Sequence, residues 1–140
     1  MSRTVISKDD AIRNVPLFAT CSKKEIALVA RLADRFTLPA GQVLIREGSY
    51  GSEFFIILDG TADVRKGDAL LTTLGPGDFF GEIASVERVA RTATVTTTSP
   101  LDALVLRGVA LSGLRDQLPN VDRAVLDQMS KRLSADSDRE

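Results

Sequence analysis

Residues 79–95 read FFGEIASVERVARTATV, a pattern that is unusual for the connection between two strands. Gly81 removes a side chain where the chain leaves a β-rich run for a predicted short helix. The backbone amides of residues 83–85 are then unpaired donors at a helix start, and such donors bind anions. Arg91 follows after a brief loop and adds a planar fork of donors. The stretch therefore predicts an anion site.

Glu82 stands next to this predicted anion site and, when ionised, only accepts hydrogen bonds. A sugar hydroxyl beside a phosphate can donate to such a carboxylate, so the pattern predicts a ribose-phosphate pocket. Taken singly, a glycine is usually a turn and an arginine is usually a solvated surface charge. The prediction therefore depends on Gly81, Glu82 and Arg91 occurring together.

Short β-rich runs separated by glycines surround this stretch. Seven glycines from Gly41 to Gly77 punctuate the middle of the chain. The runs predicted as strands are residues 42–46, 53–58, 61–65, 70–74, 92–98 and 101–106. Many short strands joined by turns are typical of a sandwich, a barrel or a jelly roll.

Helical patterns flank the strands on both sides. Ser22 and Glu25 form a predicted capping box, and a shorter helix is predicted to start near Ser7. After the strands, an apolar stripe is interrupted at Pro119 and then continues at helical spacing. The stripe comprises Leu111, Leu114, Leu118, Val121, Val125, Leu126, Met129 and Leu133. It is wider than one packing face needs, so one edge is predicted to face a ligand or a partner.

Composition excludes several classes of function. The 140 residues carry a net charge of -1, which disfavours broad attraction to nucleic acid or to an anionic membrane. The absence of histidine removes Ser–His and Cys–His catalysis and histidine-based metal sites. Acid–base chemistry or Mg²⁺ binding by carboxylates alone stays open. The single cysteine, Cys21, fits a reducing cytosol, and neither a signal peptide nor a membrane span is predicted.

The central stretch resembles the phosphate-binding cassette of the cyclic nucleotide-binding domain family. The segments that match the family pattern in register are Phe80-Gly81-Glu82-Ile83-Ala84 and Arg91-Thr92-Ala93-Thr94. The resemblance extends over about residues 15–133, nearly the whole chain. The resemblance implies a mainly β fold, an eight-stranded jelly roll with N-terminal helices and two C-terminal helices. We expect one domain over residues 1–140. Its expected parts are helices at 7–36, the jelly roll at 37–107, C-terminal helices at 108–133 and a polar tail at 134–140.

The resemblance also implies a ligand, cAMP or cGMP, and a role for each matching residue. Glu82 would accept from the ribose 2′-hydroxyl, and the Gly81 backbone would lie against the ribose. The Ala84 amide and Arg91 would bind the phosphate, while the Thr92 hydroxyl would bond a phosphate oxygen or the guanine amino group. The expected ligand-binding residues are Phe80, Gly81, Glu82, Ile83, Ala84, Arg91, Thr92, Ala93 and Met129. No catalytic residue and no metal are expected.

Two departures from the family pattern concern the response to ligand. Ala90 replaces the usual proline, and Ser85 stands where a bulky apolar residue usually transmits binding to the C-terminal helices. The function predicted is a cytoplasmic regulatory domain that is not an enzyme and that switches its C-terminal helices. It would act on a separate partner protein or dimerise through its last helix, or the chain is a piece of a larger protein. The alternatives are a jelly-roll interaction module that does not switch and, disfavoured by the lack of histidine, a cupin-type enzyme.

Overall fold

The elements follow the predicted order of helices, strands and helices. The computed structural model describes residues 7–51, 53–81 and 90–138, with side chains described throughout except at 109, 129 and 132–138. The helices are α1 (Lys8–Arg13), a 3-10 turn (Pro16–Phe18), α2 (Lys23–Leu32), α3 (Gly108–Gln117) and α4 (Pro119–Asp138). The strands are β1 (Asp34–Leu38), β2 (Val43–Ile45), β3 (Phe54–Asp59), β4 (Ala62–Lys66), β5 (Ala69–Leu74), β6 (Phe79–Phe80), β7 (Thr94–Thr97) and β8 (Leu101–Leu106).

Two antiparallel sheets form the body of the molecule. Within the described ranges, eight strands are divided between one sheet in the order β1-β8-β3-β6 and another in the order β2-β7-β4-β5. The strands β4 and β5 form a hairpin, whereas the other neighbouring strands come from distant parts of the chain, as the pairing of β1 with β8 shows. The predicted jelly roll with flanking helices is confirmed.

The sheet β1-β8-β3-β6 has a hydrophobic core on each face. Phe54 and Ile56 of β3 pack with the helices, in a core that reaches from α1 to α4. Phe55 and Ile57 point the other way, into the core between the two sheets. This alternation follows from the strand geometry, in which successive side chains leave opposite faces.

The predicted helix starts are confirmed. The Glu25 amide donates to Ser22 Oγ at 3.2 Å, and the Ser22 amide donates to Glu25 Oε1 at 2.7 Å. Ser7 caps α1 by accepting from the Asp10 amide at 3.2 Å. These bonds satisfy amides that a helix start leaves without intrahelical partners.

The predicted limit of the N-terminal helices at residue 36 is wrong. Helix α2 ends at Leu32, and the chain continues at Asp34 as strand β1. The strand begins with two charged residues, Asp34 and Arg35, and no glycine or proline separates it from α2. Its pairing with β8 fixes it, supported by the ion pair between Arg35 and Asp102 at 2.7 Å. Tertiary pairing here overrides weak local propensity.

The C-terminal helices also differ in length from the prediction. The interruption at Pro119 is confirmed, because α3 ends at Gln117 and α4 begins at Pro119, where its missing amide costs no helical bond. Helix α4 continues to Asp138, so residues 134–138 do not form a separate tail; they contain no glycine or proline to end the helix. None of the described helices is both long and apolar enough to cross a membrane.

Candidate functional site

A polar cleft opens beside strand β2. Its volume is about 250 Å³. The cleft is lined by β2, by the connection between β2 and β3, and by Arg91. The lining residues are Val43, Leu44, Ile45, Arg46, Ser49, Tyr50, Gly51, Glu53 and Arg91. The cleft thus combines an apolar strand with two arginines, Arg46 and Arg91, and one carboxylate.

Arg91 is the buried cation of this cleft. Its side chain is only 4% exposed. Nη1 donates to the carbonyl oxygen of Gly81 at 3.0 Å, and Nη2 donates to the carbonyl oxygen of Glu53 at 3.0 Å. The Glu53 carboxylate lies farther away, with Oε2 at 3.4 Å from Nη2. Two backbone carbonyls therefore help to hold the guanidinium plane in one orientation.

The backbone of Arg91 is held as firmly as its side chain. Its amide donates to the Ser49 carbonyl at 2.7 Å, and its carbonyl accepts from the Gly48 amide at 2.8 Å. These bonds tie the segment before β7 to the connection after β2. A guanidinium placed in this way is preorganised for an anion that offers two acceptor oxygens, because little side-chain freedom is left to lose on binding.

Gly81 is required by its surroundings as well as by its conformation. Its φ of +91° lies in the region that side-chain-bearing residues rarely adopt. A Cβ at this position would lie 2.6 Å from the carbonyl oxygen of Glu53 and 3.0 Å from Nη1 of Arg91. The absence of a side chain therefore lets the Gly81 carbonyl approach the arginine.

The structure brings some of the expected site residues together and places others elsewhere. Gly81 and Arg91 are in direct contact. Phe80 is 3% exposed and stacks on Phe55, with ring centroids 4.8 Å apart, so it supports the site from inside the barrel core. Thr92 is exposed and Ala93 is half-buried, and both lead into β7.

Four expected site residues are not tested by this geometry. Glu82, Ile83 and Ala84, together with the predicted short helix and the amide of Ser85, lie outside the described residues. Met129 belongs to α4, but its side chain also lies outside the described part. Their roles stay predictions.

Most of the cleft wall was not predicted from the sequence. Glu53 and the β2 residues precede Arg91 by about forty positions, and only the folded barrel brings them to it. One local signal was present, namely the glycines Gly48 and Gly51 on either side of Tyr50. That tyrosine is 78% exposed and lines the cleft from a loop, and binding residues often lie on loops held by a rigid scaffold.

Cys21 is not part of this site. It packs against the core formed by the helices and β3. Burial, and to a smaller extent the charge of Glu25, raise the pKa of the Cys21 thiol, so the nucleophilic thiolate is disfavoured at neutral pH. Among the side chains that the structure describes, no group of three or more cysteine, aspartate or glutamate residues is arranged to hold a metal ion.

Comparison with known proteins identifies the family. Residues 35–117 match the cyclic nucleotide-binding domain. The cAMP-dependent protein kinase regulatory subunit of Mycosarcoma maydis is 37% identical over 105 residues, which cover 72% of this chain and 20% of that protein. The cGMP-dependent protein kinase of Eimeria tenella is 30% identical over 128 residues, covering 91% of this chain and 12% of that protein.

Solved structures agree with this match. The structure of PKAR CBD2 with bound Sp-2Cl-cAMPS has a TM-score of 0.78 and 25% identity, and the alignment covers 90% of this chain and 86% of that one. The two kinase relatives are much longer than the matched region, which spans about a fifth of one and less of the other. The family match, the sheet order and the family motif in residues 80–84 and 91–94 lead to the same conclusion, that this chain belongs to the cyclic nucleotide-binding domain family.

Proposed function

We propose that this chain is a regulatory domain that binds cAMP or cGMP in the cleft and performs no chemistry on it. The observation that carries the proposal is the buried guanidinium of Arg91 in the cleft wall. A cyclic phosphodiester carries one negative charge and two exocyclic oxygens, which suit the two-pronged donor of arginine. The named ligands of the relatives, cAMP and cGMP, support the same class.

The remaining expected residues complete the proposed site. Glu82 accepts from the ribose 2′-hydroxyl, and the Ala84 amide, within the segment 82–84, donates to the phosphate. The backbone of Gly81 lies against the ribose. Apolar residues of β2 and the exposed ring of Tyr50 provide contact surface for the rest of the nucleotide. Base recognition by such contacts is weakly selective, and we propose cAMP as the preferred ligand.

Cyclic nucleotide is expected to stabilise the folded domain. A ligand that binds only the native state, at a concentration about 100 times its dissociation constant, adds about 2.7 kcal/mol to the free energy of unfolding. For a chain of this size the melting temperature should rise by several degrees. Thermal unfolding with cAMP, cGMP and linear 5′-AMP measures this. A metal chelator should leave the shift unchanged, and equal stabilisation by 5′-AMP would contradict a site for the cyclic phosphate.

The second part of the proposal is that binding is transmitted to α4. Val121 and Val125 of this helix are 2% and 1% exposed, whereas Leu126 is 37% exposed. The packed edge therefore holds the helix to the core, and Leu126 begins the second edge of the predicted stripe. We propose that this second edge, which includes Met129 and Leu133, closes on the nucleotide or binds a partner protein or a second copy of the chain.

Amide hydrogen exchange in α4 is expected to slow when cyclic nucleotide binds. A helix can shift only by as much as the ligand's affinity differs between its open and closed positions, so protection reports that difference. Exchange is measured over residues 119–138 with and without ligand, with α2 as the internal reference. Truncation after Leu118, which removes α4, should weaken the part of the affinity that depends on the base. The part that Arg91 contributes through the phosphate should persist. Identical exchange in both states would instead indicate an interaction module that does not switch.

A further inference from the structure

The carboxylate of Glu53 contacts the same guanidinium that we propose binds the phosphate. Its Oε2 lies 3.4 Å from Nη2 of Arg91. The two side chains differ in exposure, because the Arg91 side chain is 4% exposed and that of Glu53 is 41% exposed. Both line the cleft. The Glu53 carboxylate therefore lies beside the buried Arg91 guanidinium, in the part of the cleft that solvent reaches.

The carboxylate adds little to the positioning of Arg91. The two carbonyl bonds to the guanidinium are shorter, at 3.0 Å each, and one of them comes from the backbone of Glu53 itself. The Arg91 backbone is also fixed by its bonds to Gly48 and Ser49. Loss of the negative charge at residue 53 would leave all these bonds in place.

Gly51 leaves room for this ion pair. A Cβ at residue 51 would lie 2.8 Å from Oε2 of Glu53 and 3.0 Å from Nη2 of Arg91. A residue with a side chain here would push the carboxylate or the guanidinium away. The connection after β2 is therefore shaped so that the two charged groups lie side by side.

We propose that the Glu53 carboxylate is an internal anion that competes with the phosphate of the ligand for Arg91 and thereby lowers the affinity of the site. This inference rests on the proposed function. A phosphate that binds the guanidinium comes within a few ångströms of the carboxylate, and two like charges at that separation repel each other. Glu53 then raises the nucleotide concentration at which the site is half occupied, without taking part in recognition of the base.

The variant Glu53→Gln tests this, because it removes the charge and keeps the size of the side chain and one of its acceptor oxygens. Calorimetric titration with cAMP and with cGMP should show both bound about three- to tenfold more tightly than by the wild type, as expected for a partly exposed like-charge contact. A neutral phosphotriester of cAMP should gain less than twofold. Glu53→Asp, which withdraws the carboxylate by one methylene, should give an intermediate gain with cAMP.

Asp10→Asn is the matched control. It makes the same change in net charge at an exposed residue of α1 that is paired with Arg13 and does not line the cleft. Its affinities should stay within about twofold of the wild type, since exposed charges outside the site are screened. If the wild type binds and Glu53→Gln binds no more tightly, or if the triester gains equally, the competition is refuted while the proposed function stands. If neither protein binds cyclic nucleotide, the proposed function itself fails.

Discussion

Replacement of Arg91 by alanine is expected to lower the affinity for cAMP and cGMP by about 30- to 5,000-fold, equivalent to about 2–5 kcal/mol of binding free energy. The size of the loss follows from burial. The guanidinium is 4% exposed, so a phosphate that binds it is shielded from water and loses a charge-assisted bond that solvent does not replace. Calorimetric titration with both nucleotides measures the change.

The same variant affects the fold, and the experiment must separate the two effects. Without the guanidinium, the carbonyl oxygens of Gly81 and Glu53 lose their donors, at a cost of about 1–3 kcal/mol for each carbonyl that water cannot reach. Affinity is therefore measured below the melting transition of the variant. Arg91→Lys keeps the charge but not the planar fork, and it should still bind far more weakly than the wild type.

Arg46→Ala is the matched control for Arg91→Ala. Arg46 also lines the cleft, but it is exposed. Removal of this cation should change affinity by less than about fivefold, because exposed charges contribute roughly 0–1 kcal/mol. Wild-type affinity in folded Arg91→Ala would refute the proposed site, and equal losses in the two variants would reduce the role of Arg91 to general charge attraction.

The variant Gly81→Ala is expected to lower the free energy of unfolding by about 2–4 kcal/mol. Two costs add. A φ of +91° strains any residue with a side chain, and the new methyl group would lie 2.6 Å from the carbonyl oxygen of Glu53, which is backbone and cannot easily move. Relief of this contact would separate Gly81 from Arg91, so affinity for cyclic nucleotide should fall as well. Chemical denaturation and titration measure the two effects.

Gly67→Ala separates the two costs. Gly67 has a φ of +59°, and a Cβ there would meet nothing within 4 Å. It carries the conformational cost alone, about 1 kcal/mol, and lies outside the cleft. Its ligand affinity should be unchanged. If Gly81→Ala were no more destabilising than Gly67→Ala, the close approach of Gly81 to Glu53 would not be a feature of the folded protein.

The sequence predicted the parts of this fold that are marked locally. Glycines bracket the strands of the barrel, and Ser22 with Glu25 marks a helix start, because turns and caps depend on residues a few positions apart. Strand β1 was missed for the opposite reason. It is a strand because it pairs with β8, and that partner is distant in sequence: Arg35 and Asp102, which form an ion pair between the two strands, are 67 positions apart. The residues next to β1 in the sequence do not show this pairing.

The same distinction applies to the candidate site. Gly81 and Arg91 are ten residues apart, and their types and spacing were informative without the structure. Glu53 is 38 residues from Arg91, and its glutamate looked like any surface charge. Its carbonyl and its carboxylate reach the guanidinium only because β3 pairs with β6 and thereby brings residues 53 and 81 together. Contacts of this kind depend on the register of a sheet, which the sequence does not display.

In the two long central strands of the sheet β1-β8-β3-β6, an even or odd residue number tells which of the two cores a side chain enters. In β3 and β8 the even-numbered positions Phe54, Ile56, Leu104 and Leu106 belong to the helix side, and the odd-numbered positions Phe55, Ile57, Ala103 and Val105 belong to the barrel side. Neighbours in sequence therefore pack in different cores. Substitutions at even positions can change the packing of the terminal helices, and substitutions at odd positions can change the core between the sheets that support the cleft. The same two strands therefore allow the two cores to be redesigned separately.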